Sequence, residues 1–352
     1  MLFAQVSEGY SLGENKVANG DFEKGNIDIG THYKYTNKRS YPYGPMVDEG
    51  EYGVTNRPKT IHHMFNNCGD HTTGKGQMMV VNGSDKPGKL IWLELFKVKP
   101  NTRYEFSCWV SSAVGHAPAE LEIQVKYKTV KRFSLSRQTC HWQQLKITVT
   151  TPADAKYVAI SLVNSNRIMD GNDFFLDDIS FREWILDSKE EELQKDTAQS
   201  PVVVTPEPVL DTPLVAEQPI LEGYTPATTS LLTQQDIRCN EVMNLPNIQF
   251  HDNTTRFKGI IAARKTMFLI FDYMRDNPQS TLTLYGHSDI FGDPDSNLEL
   301  TKDRVIKIQR WLSMQGINKD RISYEWFGGT KPINAEGGVE NRRVEARLEC
   351  SE

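Results

Sequence analysis

The chain has 352 residues, more than one ordinary core of roughly 100–200 residues carries, which predicts two domains and a connector. With 38% apolar and 24% charged residues it can build globular cores, and no apolar run approaches the ~20 residues of a membrane-spanning helix, which excludes a polytopic membrane protein. A net charge of −6 gives no electrostatic case for nucleic acid.

Residues 1–14 read as a signal remnant or N-terminal extension, because Met1-Leu2-Phe3-Ala4-Gln5 has the look of an export signal's tail. Residues 15–185 read as an all-β sandwich domain. Short alternating or fully apolar runs at 77–81, 90–96, 104–111, 121–127, 145–149, 157–163 and 173–181 are separated by turn signals such as Asn82-Gly83 and Lys86-Pro87-Gly88. The long connection before them holds His62-His63, Cys68 and His71 at a spacing that fits no standard zinc finger, and its Gly and polar content predicts an ordered loop capping the sandwich. Residues 186–235 carry two basic and nine acidic side chains, six prolines and a single glycine. Such a composition disfavours a packed core and predicts an acidic, extended spacer holding its two neighbours apart. Almost the whole net charge belongs to this stretch, so it says little about any ligand.

Residues 236–352 alternate strand and helix. A strand is expected at 247–250, a helix on the stripe Phe257, Ile260, Ile261, Arg264, Met267, Phe268, Phe271 and Met274, and a strand at 281–285. A second helix through Val305, Ile308 and Leu312 closes at Gly316, and strands at 322–327 and 343–348 follow. The order β-α-β-α-β-β describes a two-layer α+β domain. Asp289 falls just past a strand end, and Thr301 as helix N-cap would put Arg304 in the first turn. A carboxylate suited to an ammonium and a guanidinium suited to a carboxylate can then face one small volume, as a ligand carrying both groups on one carbon would require. A plain Asp289–Arg304 salt bridge is the alternative that spacing leaves open.

The ordered motifs Gly286-His287-Ser288-Asp289, Gly292, Asn297 to Thr301, Arg304, Gly316-Ile317, Arg321-Ile322, Gly328-Gly329, Pro332 and Asn341-Arg342-Arg343-Val344-Glu345 resemble the OmpA-like peptidoglycan-binding domain over about 100 residues. The resemblance implies non-covalent capture of the diaminopimelate residue of the peptidoglycan stem peptide. The family's acidic and arginine ligands fall on Asp289 and Arg304, while Asn297 matches the motif Asn and Arg343 the closing Arg pair. His287-Ser288 departs from the Thr more often found before the Asp.

Ala18-Asn19-Gly20-Asp21-Phe22-Glu23, the run 104–110 and Phe174 to Phe181 resemble, more loosely, the jelly-roll carbohydrate-binding modules. That resemblance implies a structural calcium ion, with Glu23 and Asp178 as ligands and Asp177 the rival for the second place. Tyr33, Tyr35, Tyr41, Tyr43 and Trp92 are the aromatic residues that a sugar platform would draw on, although most aromatics in a sandwich are packing.

Cys239 and Cys350 bracket the last domain just outside its first and last strands, so a disulfide can join them; Cys68, Cys108 and Cys140 leave an odd thiol, and five reduced cysteines is the alternative. Wall binding requires export, which places the protein in the periplasm of a diderm bacterium, associated with outer membrane and cell wall. The expected function is a non-enzymatic tether: the last domain holds peptidoglycan and the β-domain docks on an outer-membrane protein complex, a pairing that resembles Bacteroidota transport or secretion accessories. The alternative is a β-domain that recognises polysaccharide. No Ser-His, Cys-His or zinc-hydrolase motif stands in a fitting context, which argues against an enzyme.

Overall fold

The computed structural model describes residues 9–36, 44–46, 48–84, 86–166, 171–186 and 237–350. Residues 1–8 of the expected signal remnant and 187–235 of the expected spacer lie outside them, as do Tyr41 and Tyr43. Internal contacts divide the chain into two units, Met1–Gly13 with Trp184–Ser230, and Glu14–Glu183 with Leu231–Glu352.

Strand β1 (Tyr10–Leu12) belongs to the first unit. β2 (Lys34–Tyr35), β3 (Glu51–Thr55), β4 (Met78–Val81), β6 (Arg103–Ser112) and β9 (Gln143–Thr150) of the second, with β11 (Phe174–Leu186), which belongs to it as far as Glu183, form one sheet in the order β2-β3-β4-β11-β6-β9. β5 (Lys89–Lys97), β7 (Glu120–Val125), β8 (Lys128–Ser134) and β10 (Tyr157–Asn164) form another in the order β5-β10-β7-β8. β1 pairs with the end of β11 from Trp184 to Leu186, within the first unit.

Period-two alternation explains how the sheets meet. Tyr104, Phe106, Cys108 and Val110 of β6 are fully buried, and with Phe174 and Leu176 they face Ile91, Leu121, Ile160 and Leu162 of the other sheet in one core. The expected strand at 121–127 is instead the first arm of a hairpin. Lys126 and Tyr127 both take positive φ, 50° and 66°, as a two-residue turn requires, and β8 returns beside β7. The capping loop after β3 brings Ile61, Phe65 and Cys68 onto Met78, Val80 and Phe175, on the face of the first sheet away from the main core.

The last region follows the order β12 (Val242–Asn244), α1 (Ile260–Asp276), β13 (Thr281–Gly286), α2 (Pro294–Met314), β14 (Ile322–Trp326) and β15 (Val344–Glu349), with sheet order β12-β15-β13-β14. The first strand forms at 242–244 rather than at the expected 247–250. Pro246 has no N–H to extend the ladder, and Ile248 and Phe250 are buried as core residues instead. Helix α2 also differs from expectation. Asp293 caps it through the Ser296 amide and Pro294 occupies the first turn, so Thr301 lies inside the helix, its hydroxyl bonded back to the Leu298 carbonyl. Arg304 is therefore mid-helix, beyond the first turn where the helix dipole acts.

The two regions that composition describes as separate modules share a core. Leu90, Leu93 and Leu95 of β5 and Ala159 and Val163 of β10 pack in one buried cluster with Leu245, Ile248, Phe250, Phe257, Phe268 and Trp311. The physical reason is legible in the run 90–96, apolar but for Glu94: β5 is buried on both faces, the inner against the first sheet and the outer against α1. Arg264 of α1 is wholly buried there, with Nη2 at 2.6 Å from Asp28 Oδ2 and 3.0 Å from Glu94 Oε2. At the edge, Lys97 Nζ meets Asp272 at 2.6 Å.

Candidate binding site

β13 ends at Gly286, whose missing side chain lets α2 approach: a Cβ there would stand 2.7 Å from the Thr301 carbonyl oxygen. His287 and Ser288 continue buried, tied by their amides to the carbonyls of Arg343 and Gly328, and this fixes Asp289 at the mouth of the loop. Asp289 Oδ1 accepts from the amides of Ile290 at 2.8 Å and Gly338 at 3.1 Å, and Oδ2 takes Arg342 Nη1 at 3.0 Å. Gly338 can present its N–H because it sits at φ +150°, a conformation an L side chain would strain. Burial opposes the charge of Asp289, but these amides, Asn341 and Arg342 outweigh it and hold the carboxyl below its ordinary range.

Arg304 is 2% exposed. Its Nε donates to the Thr254 carbonyl at 3.0 Å and its Nη2 to the His251 carbonyl at 3.1 Å, while the guanidinium lies over the Phe250 ring at 4.9 Å. It has no ion pair among the described residues. Burial, and then the neighbouring Arg342, pull its pKa down to about 10. The spacing-based alternative of an Asp289–Arg304 salt bridge is thus absent: Asp289 is paired with Arg342, and Arg342 Nε also stands 3.4 Å from Asp252. The site holds two guanidinium groups and two carboxylates, Asp252 and the ionised Asp289, beside loops that carry the exposed apolar side chains Phe291, Ile333 and Val339.

The other residues chosen from sequence are placed differently. Asn297 Nδ2 donates to the Phe291 carbonyl at 2.8 Å, shaping the loop after Asp289. Arg343 lies on Glu345, Nε to Oε1 at 2.7 Å, and away from Asp289. The His287 ring and Arg343 pull Glu345 down to about 2 against its burial. Sequence reasoning missed Arg342 and the wholly buried Asn341, whose Oδ1 takes the amides of Ile333 and Asn334. The motif names both arginines, but only the fold separates them: just ahead of the final strand, Arg343 turns to Glu345 and Arg342 to Asp289.

Glu23, Asp177 and Asp178 each have partners within the protein. Glu23 Oε1 accepts the Gln77 amide at 2.7 Å, Asp177 takes the His71 amide at 2.8 Å, and Asp178 lies 2.6 Å from His71 Nδ1. Burial pushes the Asp177 carboxyl up to about 7, towards the protonated form, and among the described residues no group of three His, Cys, Asp or Glu side chains could hold a metal. Of the aromatic residues singled out, Tyr33 and Trp92 are core, at 2% and 5% exposure. An indole that does reach the surface is Trp109, stacked on His71 at 3.8 Å beside a cavity of about 350 Å³ lined by Asp178, Arg182, Ser107 and Ser180.

Cys239 is bonded to Cys350, and Cys68 to Cys140, with S–S distances of 1.98 and 1.97 Å; Cys108 is buried and free. The second pair has a signal in hindsight: Cys68 and Cys140 stand in polar loops, whereas Cys108 belongs to the apolar alternation of β6.

The chain is similar to known proteins over parts of its length. The chain is 29% identical over 114 residues to the "Probable lipoprotein YiaD" of Escherichia coli, covering 31% of this chain and 51% of that one, so it spans about half the length of this curated relative. Among solved structures, the peptidoglycan-associated lipoprotein from Burkholderia pseudomallei superposes with a TM-score of 0.27 at 20% identity, covering 29% of this chain and 88% of that one. A Stig cyclase from Fischerella sp. TAU gives 0.35 at 15% identity, covering 51% and 100%. Residues 249–346, which contain Asp252, Asp289, Asn297, Arg304 and both arginines of the final motif, match the model of the OmpA family.

Proposed function

We propose that this chain is a non-enzymatic tether of the cell envelope, whose Asp289–Arg304 site holds the diaminopimelate end of a peptidoglycan stem peptide. The observation that carries it is Arg304, a buried guanidinium with hydrogen bonds to carbonyls and no ion pair among the described residues. An uncompensated buried charge is costly, and a ligand carboxylate against Arg304 and Arg342 would offset that cost. Asp289, held ionised, takes the ammonium on the same carbon. The match of residues 249–346 to the OmpA family supports the reading, as does the order of motifs around the site. Export to the periplasm follows from the ligand, and the β-region, read as a jelly roll, serves to dock an outer-membrane protein assembly. Asp289→Ala and Arg304→Ala are expected to abolish co-sedimentation with diaminopimelate-type sacculi while leaving the circular dichroism spectrum unchanged, a loss of about 2–5 kcal/mol. Pelleting of both variants like the unmodified chain would refute the assignment.

A second reading, polysaccharide recognition by the β-region, draws on Trp109. An indole edge beside a polar cavity with a carboxylate and a guanidinium suits a sugar ring. Trp109→Ala should then lose retention on a glycan array that the unmodified chain shows; equal retention removes this reading.

A further inference from the structure

The loop from Phe250 to Phe257 touches both the candidate site and the β-region. It is a closed hairpin: Phe250 and Phe257 form a β-bridge with rings 4.9 Å apart, the His251 amide donates to the Arg256 carbonyl, and the Lys258 amide to the Gln249 carbonyl. One side faces the site. The carbonyls of His251 and Thr254 are the hydrogen-bond acceptors of Arg304, the Phe250 ring lies under its guanidinium, and Asp252 pairs with Arg342. The other side faces the β-region. Arg256 Nη1 donates to the His32 carbonyl at 3.4 Å, and Phe250 and Phe257 belong to the same buried cluster as Leu90, Leu93 and Leu95 of β5. His32 is itself tied by its amide to the Leu90 carbonyl.

We infer that the β-region is a positioning element of the ligand site: its docking against the 250–257 hairpin sets where Arg304 and Arg342 stand, so that ligand binding and docking strengthen each other. The inference rests on the reading of the site as one for a diaminopimelate-type ligand. Arg304 takes its place from the hairpin through two backbone carbonyls and one ring, and Arg342, bonded to Asp289, also meets its one carboxylate. When β5 withdraws, Phe250 and Phe257 lose the Leu93 side of their packing, and the carbonyls that aim Arg304 are free to turn. Thermodynamic linkage makes the effect reciprocal, so a ligand that fixes Arg304 must steady the hairpin and the face of β5 it rests on.

The test uses the full chain and free meso-diaminopimelate as probe. Leu93→Asn weakens the outer face of β5 without touching the site, and the expected result by calorimetric titration is binding weaker by about fivefold or more. In the unmodified chain the probe should also slow amide hydrogen exchange at residues 89–97 and 250–258, and should fail to do so in Asp289→Ala, a response that a purely structural role for β5 would not give. If Leu93→Asn does not fold, Arg256→Ala is measured in its place, with the same expected loss. A folded variant that binds like the unmodified chain, with no probe-dependent protection of β5, overturns the coupling and leaves the wall-binding reading standing. An unmodified chain that binds neither the probe nor sacculi overturns that reading, and the coupling with it.

Discussion

At Arg304 the helix buries a guanidinium against two carbonyl oxygens and an aromatic face, which satisfies its hydrogen bonds but leaves its charge. Asp289 is the reverse case, a carboxylate surrounded by four donors. Its pKa is depressed, so the charge that would hold an ammonium is present above the ordinary Asp range, persists somewhat below it, and is lost as the pH falls through the folded-state value. Arg342→Ala removes one of the groups that depress it. Sacculus retention of this variant is expected to fail at a higher pH on acidification than that of the unmodified chain; coincident acid limbs would show that Arg342 does not set the charge of Asp289. The sequence singles out Asp289 and Arg304 by type, order and family resemblance. It could not choose between adjacent arginines, nor foresee that Arg304 would answer to carbonyls fifty residues upstream, because those contacts exist only once the hairpin is seated.

Single elements were readable where their signals were periodic and misread where two signals competed. The stripe on α1 and the alternation of β6 predict their faces correctly, whereas Thr301 competed with Asp293-Pro294 as a helix start and lost, since an Asp cap followed by Pro in the first turn satisfies more of the helix end. Strand β8 was invisible for a different reason: its residues are almost all exposed, and the Lys126-Tyr127 turn carries no Gly or Asn. The cysteines were half legible, the outer pair by position and the inner pair only through the packed loop. The bond between Cys239 and Cys350 spans 111 residues of sequence. Cys239→Ala with Cys350→Ala is expected to cost roughly 4–5 kcal/mol in denaturant unfolding under oxidising conditions, by restoring loop freedom to the unfolded chain. A variant as stable as the unmodified chain would show that the bond does not form in solution.

For the whole molecule, charge and proline content describe two modules held apart, and the packing of the second unit describes one core through both. Composition counts residues and cannot see that β5 is buried on both faces. Arg264 makes the difference testable. It is wholly buried between Asp28 and Glu94, so Arg264→Ala leaves two acidic groups without their counter-charge and is expected to cost about 3–5 kcal/mol by thermal or denaturant unfolding. A loss below 1 kcal/mol would mean that the two regions separate freely. The same contact has an optical consequence. Trp311 is 2% exposed, meets Phe268 edge-on at 4.9 Å and lies under the Arg264 guanidinium at 5.0 Å. Its indole should therefore emit at the blue end of the tryptophan range while the regions are joined and move to the red when water reaches it. A chain keeping Trp311 as its single tryptophan would report the joining of the β-region and the last region by colour alone, with no label attached.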